Sequence, residues 1–407
     1  MRFIVLLISF VVVGGLIEWY IHSALSNRWD HWSPWLKNLS KYAFWTSLIV
    51  MIVSIIMLFA LGNYFNRATL NFWFSFLLVN FIVKTSLAVF VLFDDIRRLI
   101  VLGKNKLGSE EVVESVTRSD FLLKAGIAVA AVPLISLGWG MIAGPYRYKV
   151  FNEKVILPNL PSNFNGLRIA QISDIHAGSF YNKEAVERGV QLLLDQKPDI
   201  VLFTGDIVND RAEEMGPYLE IFKRIQAPLG VYSILGNHDY GDYVRWESEE
   251  EKEANNIRIR EIHKNLGWRL LLNEHVYLEK DCQQIALIGV ENWGKGFHQV
   301  GDLKKAYKGC NAPVKLLLSH DPTHFEEVVK KDFANIDITF SGHTHGAQMG
   351  IETGGFKWSP ISLRYKKWAG LYEENGQYLY INRGFGFIGY AGRLGIMPEI
   401  TVIELTT

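Results

Sequence analysis

Cysteine is scarce in this chain: two residues in 407, Cys282 and Cys310. That excludes a disulfide scaffold and a thiolate zinc centre, and it leaves the redox compartment open. Net charge is lacking as well, with Lys+Arg and Asp+Glu balanced at 42 each. A balanced chain has no overall basic surface of the kind that grips nucleic acid by counterion release. Internal repeats and low-complexity segments are also missing. The hydrophobic content, 49%, is ordinary on average but unevenly spread.

The apolar residues crowd the first third. A helix needs ~20 mostly apolar residues to cross ~30 Å of hydrocarbon. Four runs meet that requirement: 3–25, 43–62, 70–93 and 125–143. The first is apolar up to Glu18, and Trp19 and Tyr20 suit an interfacial belt. The fourth holds Pro133, which a membrane helix tolerates. Lys84 is the one charge in the third run. With no acidic partner evident deep in another span, it reads as a structural residue that pairs locally or snorkels along its stem.

The links set an orientation. Arg28, Lys37 and Lys41 join the first two runs, and Arg97, Arg98, Lys104, Lys106 and Arg118 join the last two. The opposite side carries Arg2, Arg67 and, after the fourth run, Arg147, Lys149 and Lys154. Positive-inside bias puts the two odd links in the cytoplasm and both chain ends outside. Residues 117–124 also resemble a degraded twin-arginine export signal, with Ser119 in place of the second arginine. The predicted organisation is a transmembrane region, 1–144, and a soluble domain, 145–407.

In the soluble part, short β-rich runs predict strands at 167–173, 200–204, 231–235, 285–290, 315–318, 336–340, 378–382 and 400–405. Apolar residues at helical spacing predict a helix at 183–196, stopped by Pro198, and a charged second one over 247–266. Alternating strands and helices argue for an α/β domain, which binds ligands at the carboxyl ends of its strands.

Five of those strand ends carry chemistry. Asp174-Ile175-His176, Gly205-Asp206, Gly236-Asn237-His238-Asp239, His320 and Gly342-His343-Thr344-His345-Gly346 follow in order. Each alone reads most simply as a turn or a surface pair. Together they gather carboxylates, an amide and five of the eleven histidines. Divalent metals of the manganese, iron and zinc type accept that ligand mix. A carboxylate can bridge two cations, which polarise a phosphoryl group and activate water, and an uncommitted histidine can protonate the leaving oxygen.

This ordered set resembles the signature of the calcineurin-like metallophosphoesterase superfamily. The resemblance implies two stacked mixed β-sheets flanked by helices, and two divalent metal ions. It implies that Asp174, His176 and His345 hold one metal, that Asn237, His320 and His343 hold the other, and that Asp206 bridges them. His238 would be the proton donor, steadied by Asp239. Ser319-His320-Asp321-Pro322, Asn382-Arg383-Gly384-Phe385-Gly386 and Pro398-Glu399-Ile400-Thr401 resemble its membrane-anchored bacterial branch. Members of that branch cleave the pyrophosphate of a lipid-linked sugar nucleotide or act as phosphodiesterases. The expected function is therefore hydrolysis of a phosphate ester or pyrophosphate, of a lipid-linked or envelope substrate, outside a bacterial cell membrane.

Two other readings compete. A nuclease of the same superfamily is disfavoured by neutral charge and the anchor. A non-catalytic sensor or scaffold is disfavoured by the full ligand set. Among the remaining polar residues, His324 reads as structural at a helix start. Arg383 and Arg393 suit either a substrate phosphate or surface pairing. Trp358, Trp368 and Tyr365 suit either an amphipathic lip near the membrane or simple packing. His263, His275 and His298 receive no functional role.

Overall fold

A computed structural model describes residues 2–26, 32–107 and 116–407. The chain divides into two compact units, Met1–Gly140 and Met141–Thr407. Arg28 lies outside the described residues, as do the side chains of Arg2, Lys104, Lys106, Arg118 and Ser119.

The first unit is helical: α1 (Arg2–Ser26), α2 (Pro34–Ile55), α3 (Arg67–Leu107) and α4 (Val116–Ala143). Three helical stretches are long and apolar enough to cross a membrane, Pro34–Ala60, Arg67–Val101 and Phe121–Ala143. The expected fourth, in α1, is a continuous helix of 25 residues whose first ten side chains lie outside the described residues, and it is not among the three. Outward-facing Leu16, Trp19, Ile49, Phe93, Ile135 and Ile142 are exposed, a surface that fits hydrocarbon rather than water. One expectation is corrected here. Lys84 of α3 does have an acidic partner, Glu18 of α1, and both are buried. An unpaired charge in an apolar bundle is costly, so the pair links two helices. Beside it, Asn80 donates to the Ser47 carbonyl and hydroxyl, joining α3 to α2.

The second unit holds fourteen strands among the described residues, in chain order: β1 (Lys149–Ile156), β2 (Leu167–Ile172), β3 (Ile200–Phe203), β4 (Val231–Ser233), β5 (Arg269–Leu270), β6 (Glu274–Lys280), β7 (Gln283–Gly289), β8 (Lys315–Leu318), β9 (Ile338–Ser341), β10 (Ile351–Thr353), β11 (Phe356–Trp358), β12 (Gly370–Glu374), β13 (Gln377–Ile381) and β14 (Glu399–Thr406). Two six-stranded sheets run β1-β14-β2-β3-β4-β5 and β12-β13-β9-β8-β7-β6. Both are mixed: β2, β3, β4 and β5 are parallel while β14 opposes β2, and β7, β8, β9 and β13 are parallel while β6 and β12 oppose their neighbours.

The two-residue period of a strand decides the layers. Ile169, Leu202 and Ile403 of the first sheet meet Leu316, Ile338 and Tyr380 of the second in one apolar cluster between the sheets. Their neighbours Ala170, Ile172, Val201 and Phe203 face the other way, onto Val186, Val190 and Leu193 of α5 (Lys183–Leu194) and Ile259 and Ile262 of the helix Glu249–Asn265. On the far side, Ile288, Leu317 and Ile381 pack on Leu303, Phe325 and Val329. The result is the expected pair of stacked mixed sheets flanked by helices.

Local signals explain the ends of these elements. Asn182 caps α5 by accepting from Ala185 N at 2.9 Å, and Ser248 caps the charged helix by accepting from Glu251 N. All eight expected strands are present within a few residues. β1, β5, β6, β10, β11 and β12 were not foreseen. They are edge strands, or a separate hairpin, with mixed polar patterns such as Glu-His-Val-Tyr-Leu-Glu-Lys. Such runs lack the solid apolar character of a strand buried on both faces.

Candidate metal centre

The five motifs leave the carboxyl ends of β2, β3, β4, β8 and β9. Because β2, β3 and β4 are mutually parallel, as are β8 and β9, the loops within each sheet leave on one side. The turns are unusually tight. Asp174, His176, Asp206, His343 and His345 all have positive φ, between 47° and 71°. For residues other than glycine such conformations cost on the order of 1 kcal/mol or more each and persist only where surroundings enforce them. Gly205, φ 97°, shows the crowding: a Cβ there would lie 2.6 Å from Gly236 N.

The sequence-predicted residues converge. Asp174, His176 and His345 form one group, and Asp206, His320 and His343 another, with ligand atoms in each within 4.8 Å of one another. Asp174 Oδ1 is 3.2 Å from His345 Nε2, which is 3.1 Å from His176 Nε2. His320 Nε2 lies 3.3 Å from His343 Nδ1. Asp206 Oδ2 touches both groups, 3.6 Å from His176 Nε2 and 3.1 Å from His320 Nε2. Asn237 Oδ1 is buried with no hydrogen-bond partner among the described residues, as is His176 Nδ1.

Neighbouring groups aim the ligands. The Asn237 amide donates from Nδ2 to Tyr243 Oη at 2.9 Å, which frees Oδ1 for another partner. His320 Nδ1 lies 2.7 Å from the Thr204 carbonyl. A carbonyl only accepts, so Nδ1 carries a proton and Nε2 is the nitrogen turned to the cluster. His343 places Nδ1 in the cluster, while its Nε2 lies 3.0 Å from Tyr365 Oη and 3.4 Å from Asp321 Oδ2. Sequence reasoning missed Tyr243 and Asp321, and it offered Tyr365 only for a lip or for packing. Only Asp321, adjacent to His320 in Ser-His-Asp-Pro, carried any signal.

His238 is half-buried, its ring 4.4 Å from Tyr243 and 4.9 Å from His176, centroid to centroid. Its backbone N donates to Asp206 Oδ1 at 2.8 Å. Its Nδ1 donates to the Asn209 carbonyl at 2.7 Å, so Nε2 is the nitrogen left to exchange a proton. Here the structure departs from expectation. Asp239 was expected to steady His238, and Asn209 does so instead. The Asp239 carboxylate is spent on backbone, accepting from Asp206 N at 2.8 Å, Gly236 N at 2.9 Å and Ile207 N at 2.9 Å. It ties the Gly-Asp turn to the Gly-Asn-His-Asp turn.

The electrostatics fit a cation. Burial works against ionising Asp174 and Asp206, yet His345 beside the first and His320 beside the second hold both carboxylates below the usual range. Burial opposes charge on His320 too, but Asp206 prevails and lifts it to about 10. Burial keeps His176 well below its ordinary value and takes His343 down to about 4. Burial and the Asp206 carboxylate push Asp239 up to about 7, against the pull of the Gly236 amide. Two carboxylates, four imidazoles and an orphaned amide oxygen suit divalent metals of intermediate hardness.

The other candidates resolve simply. His324 lies 2.8 Å from Ser319 Oγ and stacks on Trp293, a structural role, though its side chain makes no capping bond to the helix it precedes. Arg383 and Arg393 are neither at the surface nor free to hold a phosphate. Both are buried; Arg383 pairs with Glu399 and Glu352, and Arg393 donates to the Arg383, Gly384 and Gly386 carbonyls. Tyr365 and Trp368 are buried while Trp358 is exposed.

Comparison with known proteins agrees with this geometry. Residues 167–347 match a family model described as Calcineurin-like phosphoesterase, and residues 1–145 match one described as Probable Calcineurin-like phosphoesterase, transmembrane domain. The chain is 26% identical over 322 residues to a transmembrane protein with metallophosphoesterase domain from Danio rerio, covering 75% of this chain and 67% of that one. It is 24% identical to the uncharacterized metallophosphoesterase YkuE of Bacillus subtilis (strain 168), covering 72% of this chain and 99% of that one. It is 25% identical to the UDP-2,3-diacylglucosamine pyrophosphatase LpxG of Chlamydia muridarum, covering 64% of this chain and 90% of that one.

Proposed function

For a chain that belongs to the calcineurin-like metallophosphoesterases, with a transmembrane domain of its own, we propose a hydrolase of a phosphodiester, phosphomonoester or pyrophosphate in a lipid-linked or envelope substrate. In this reading Asp174, His176 and His345 hold one divalent cation, Asn237, His320 and His343 hold a second, and Asp206 is shared. The observation that carries it is Asp206 Oδ2, within 3.6 Å of His176 Nε2 and 3.1 Å of His320 Nε2. When bound, manganese-, iron- or zinc-type cations polarise the phosphoryl group and activate water.

The chain's own groups supply the rest. His238 holds a proton at Nε2 for the leaving oxygen, its Nδ1 fixed on the Asn209 carbonyl. Asp239 keeps the Asp206 and Asn237 turns in register through three backbone amides. Tyr243 fixes the Asn237 amide, and Asp321 and Tyr365 fix the His343 ring.

The substrate class is supported by the membrane-spanning helices, which confine the catalytic unit near lipids and raise its effective concentration toward them. The relative named as a UDP-2,3-diacylglucosamine pyrophosphatase points the same way. The excess of Lys and Arg in the two odd links favours a catalytic unit outside a bacterial cell membrane. The test is metal analysis of the purified full chain together with a panel of mono- and diesters. Metal-dependent cleavage that falls ~10²–10⁴-fold in His238→Ala is expected. A parent chain that binds metal but cleaves no phosphate ester sinks the proposal and favours a binding role.

A further inference from the structure

The hairpin β10–β11 belongs to neither sheet. It turns through Gly354 and Gly355, both at positive φ, the conformation that a two-residue hairpin turn requires. A lone two-stranded ribbon has little stability of its own in water and usually hides its apolar side chains. This one does the opposite. Ile351 is 52% exposed, Phe356 59% and Trp358 46%, and Leu363, just beyond, is 89% exposed. The cross-strand register pairs Ile351 with Trp358 and Thr353 with Phe356. Clustered apolar groups of this size on a protein surface mark a contact.

Charge identifies the contact. Residues 351–367 include one acid, Glu352, and four bases, Lys357, Arg364, Lys366 and Lys367. Glu352 is taken by Arg383. Lys357 bonds the Ala369 carbonyl and Tyr372 Oη, and Lys367 pairs with Glu326 and Glu374. Arg364 and Lys366 remain, both exposed, flanking Tyr365 within three residues of Leu363. The patch thus combines aromatic and aliphatic tips with uncompensated positive charge, the pairing that binds an anionic lipid interface.

The patch is built into the metal centre. Ser359 Oγ donates to the Gly346 carbonyl at 2.7 Å, in the loop that carries His343 and His345. The Arg364 guanidinium rests on the Phe297 and Tyr365 rings, 5.2 Å and 5.4 Å from their centroids. Phe297 in turn packs on His343, and Tyr365 Oη meets His343 Nε2.

We propose that the face formed by Ile351, Phe356, Trp358, Leu363, Arg364 and Lys366 docks on an anionic bilayer surface and sets the metal centre at the lipid headgroups. The chain's own spanning helices keep such a surface within reach. Substrate delivery by this face rests on the phosphoesterase reading; the docking itself does not.

The test uses the full chain in lipid nanodiscs. Cys282→Ser removes the exposed thiol, and Leu363→Cys or, as control, the exposed Glu279→Cys on β6 carries a fluorophore. Lipids brominated on their acyl chains are expected to quench the label at 363 and not at 279. Quenching should be stronger with phosphatidylglycerol than with phosphatidylcholine alone, and should fall in Arg364→Glu/Lys366→Glu. No quenching at 363, equal quenching in both lipids, or label-to-label contact at 363 in detergent would each overturn the proposal, the last in favour of self-association. In parallel, Phe356→Ser/Trp358→Ser/Leu363→Ser is expected to lower hydrolysis of a lipid phosphodiester ~10-fold and to leave that of soluble bis(p-nitrophenyl) phosphate unchanged. Equal loss on both substrates counts against delivery. A parent that hydrolyses neither defeats the phosphoesterase reading, and the fluorescence still decides the docking.

Discussion

Replacing Asp239 with alanine should unfold the catalytic unit more than it disarms it. The carboxylate is about 1% exposed and accepts three short hydrogen bonds, from Asp206 N, Gly236 N and Ile207 N. Leaving a buried amide unpaired costs ~1–3 kcal/mol, so three cost ~3–9 kcal/mol. Removing a buried negative charge beside Asp206 returns a part of that, because burial, together with repulsion from Asp206, pushes Asp239 up to about 7. A net loss of ~3–5 kcal/mol lowers the melting temperature of a domain this size by roughly 6–20 °C. His238→Ala is the contrast. It removes a single hydrogen bond to the Asn209 carbonyl, worth ~1 kcal/mol, and is expected to melt within a few degrees of the parent. Thermal unfolding of the detergent-solubilised full chain, followed by tryptophan fluorescence, separates the two. Asp239→Asn, which keeps one acceptor oxygen, should fall between. An Asp239→Ala chain that melts with the parent and loses only activity would refute the clasp and restore Asp239 as a partner of His238.

His263 is fully buried between Phe203 and Trp268, and burial holds it down at about 3. The unfolded chain takes up a proton near pH 6.5 and the folded one does not, so stability falls as pH drops from about 6.5 toward 3, by up to ~1.4 kcal/mol per unit. His263→Phe should flatten this slope; melting curves of parent and variant that stay parallel from pH 7 to pH 4 would count against it. Tyr243→Phe removes the acceptor for Asn237 Nδ2 but keeps the ring against His238, so metal retention against a chelator should drop ~10-fold with little change in melting. In the membrane unit, Lys84→Met strands Glu18 and should destabilise by ~3–5 kcal/mol, while Glu18→Gln/Lys84→Met should recover most of it; additive losses would show that the two charges do not interact.

The chemistry was legible in the chain because ligand identity is local. Asp174-x-His176, Gly205-Asp206, Gly236-Asn237-His238-Asp239, His320 and Gly342-His343-x-His345 follow apolar runs that become strands, and strand ends are where such folds place ligands. The apolar runs of the first third were equally plain, since length and composition alone define a span. The edge strands β1, β6 and β12 were not, because half their side chains meet solvent and their patterns blend into loops.

What each polar group bonds to was hidden for a different reason. Asp239 adjoins His238 in the chain, yet its partners are amides at residues 206, 207 and 236. Lys84 lies 66 positions from Glu18, and Arg383 turns inward to Glu399. Residue types and their order determined the reaction class, because a metal ligand set is written in single side chains. Partnership was decided only when the two sheets stacked and the turns closed to within hydrogen-bonding distance, since a buried charge takes whichever group the packing brings to it.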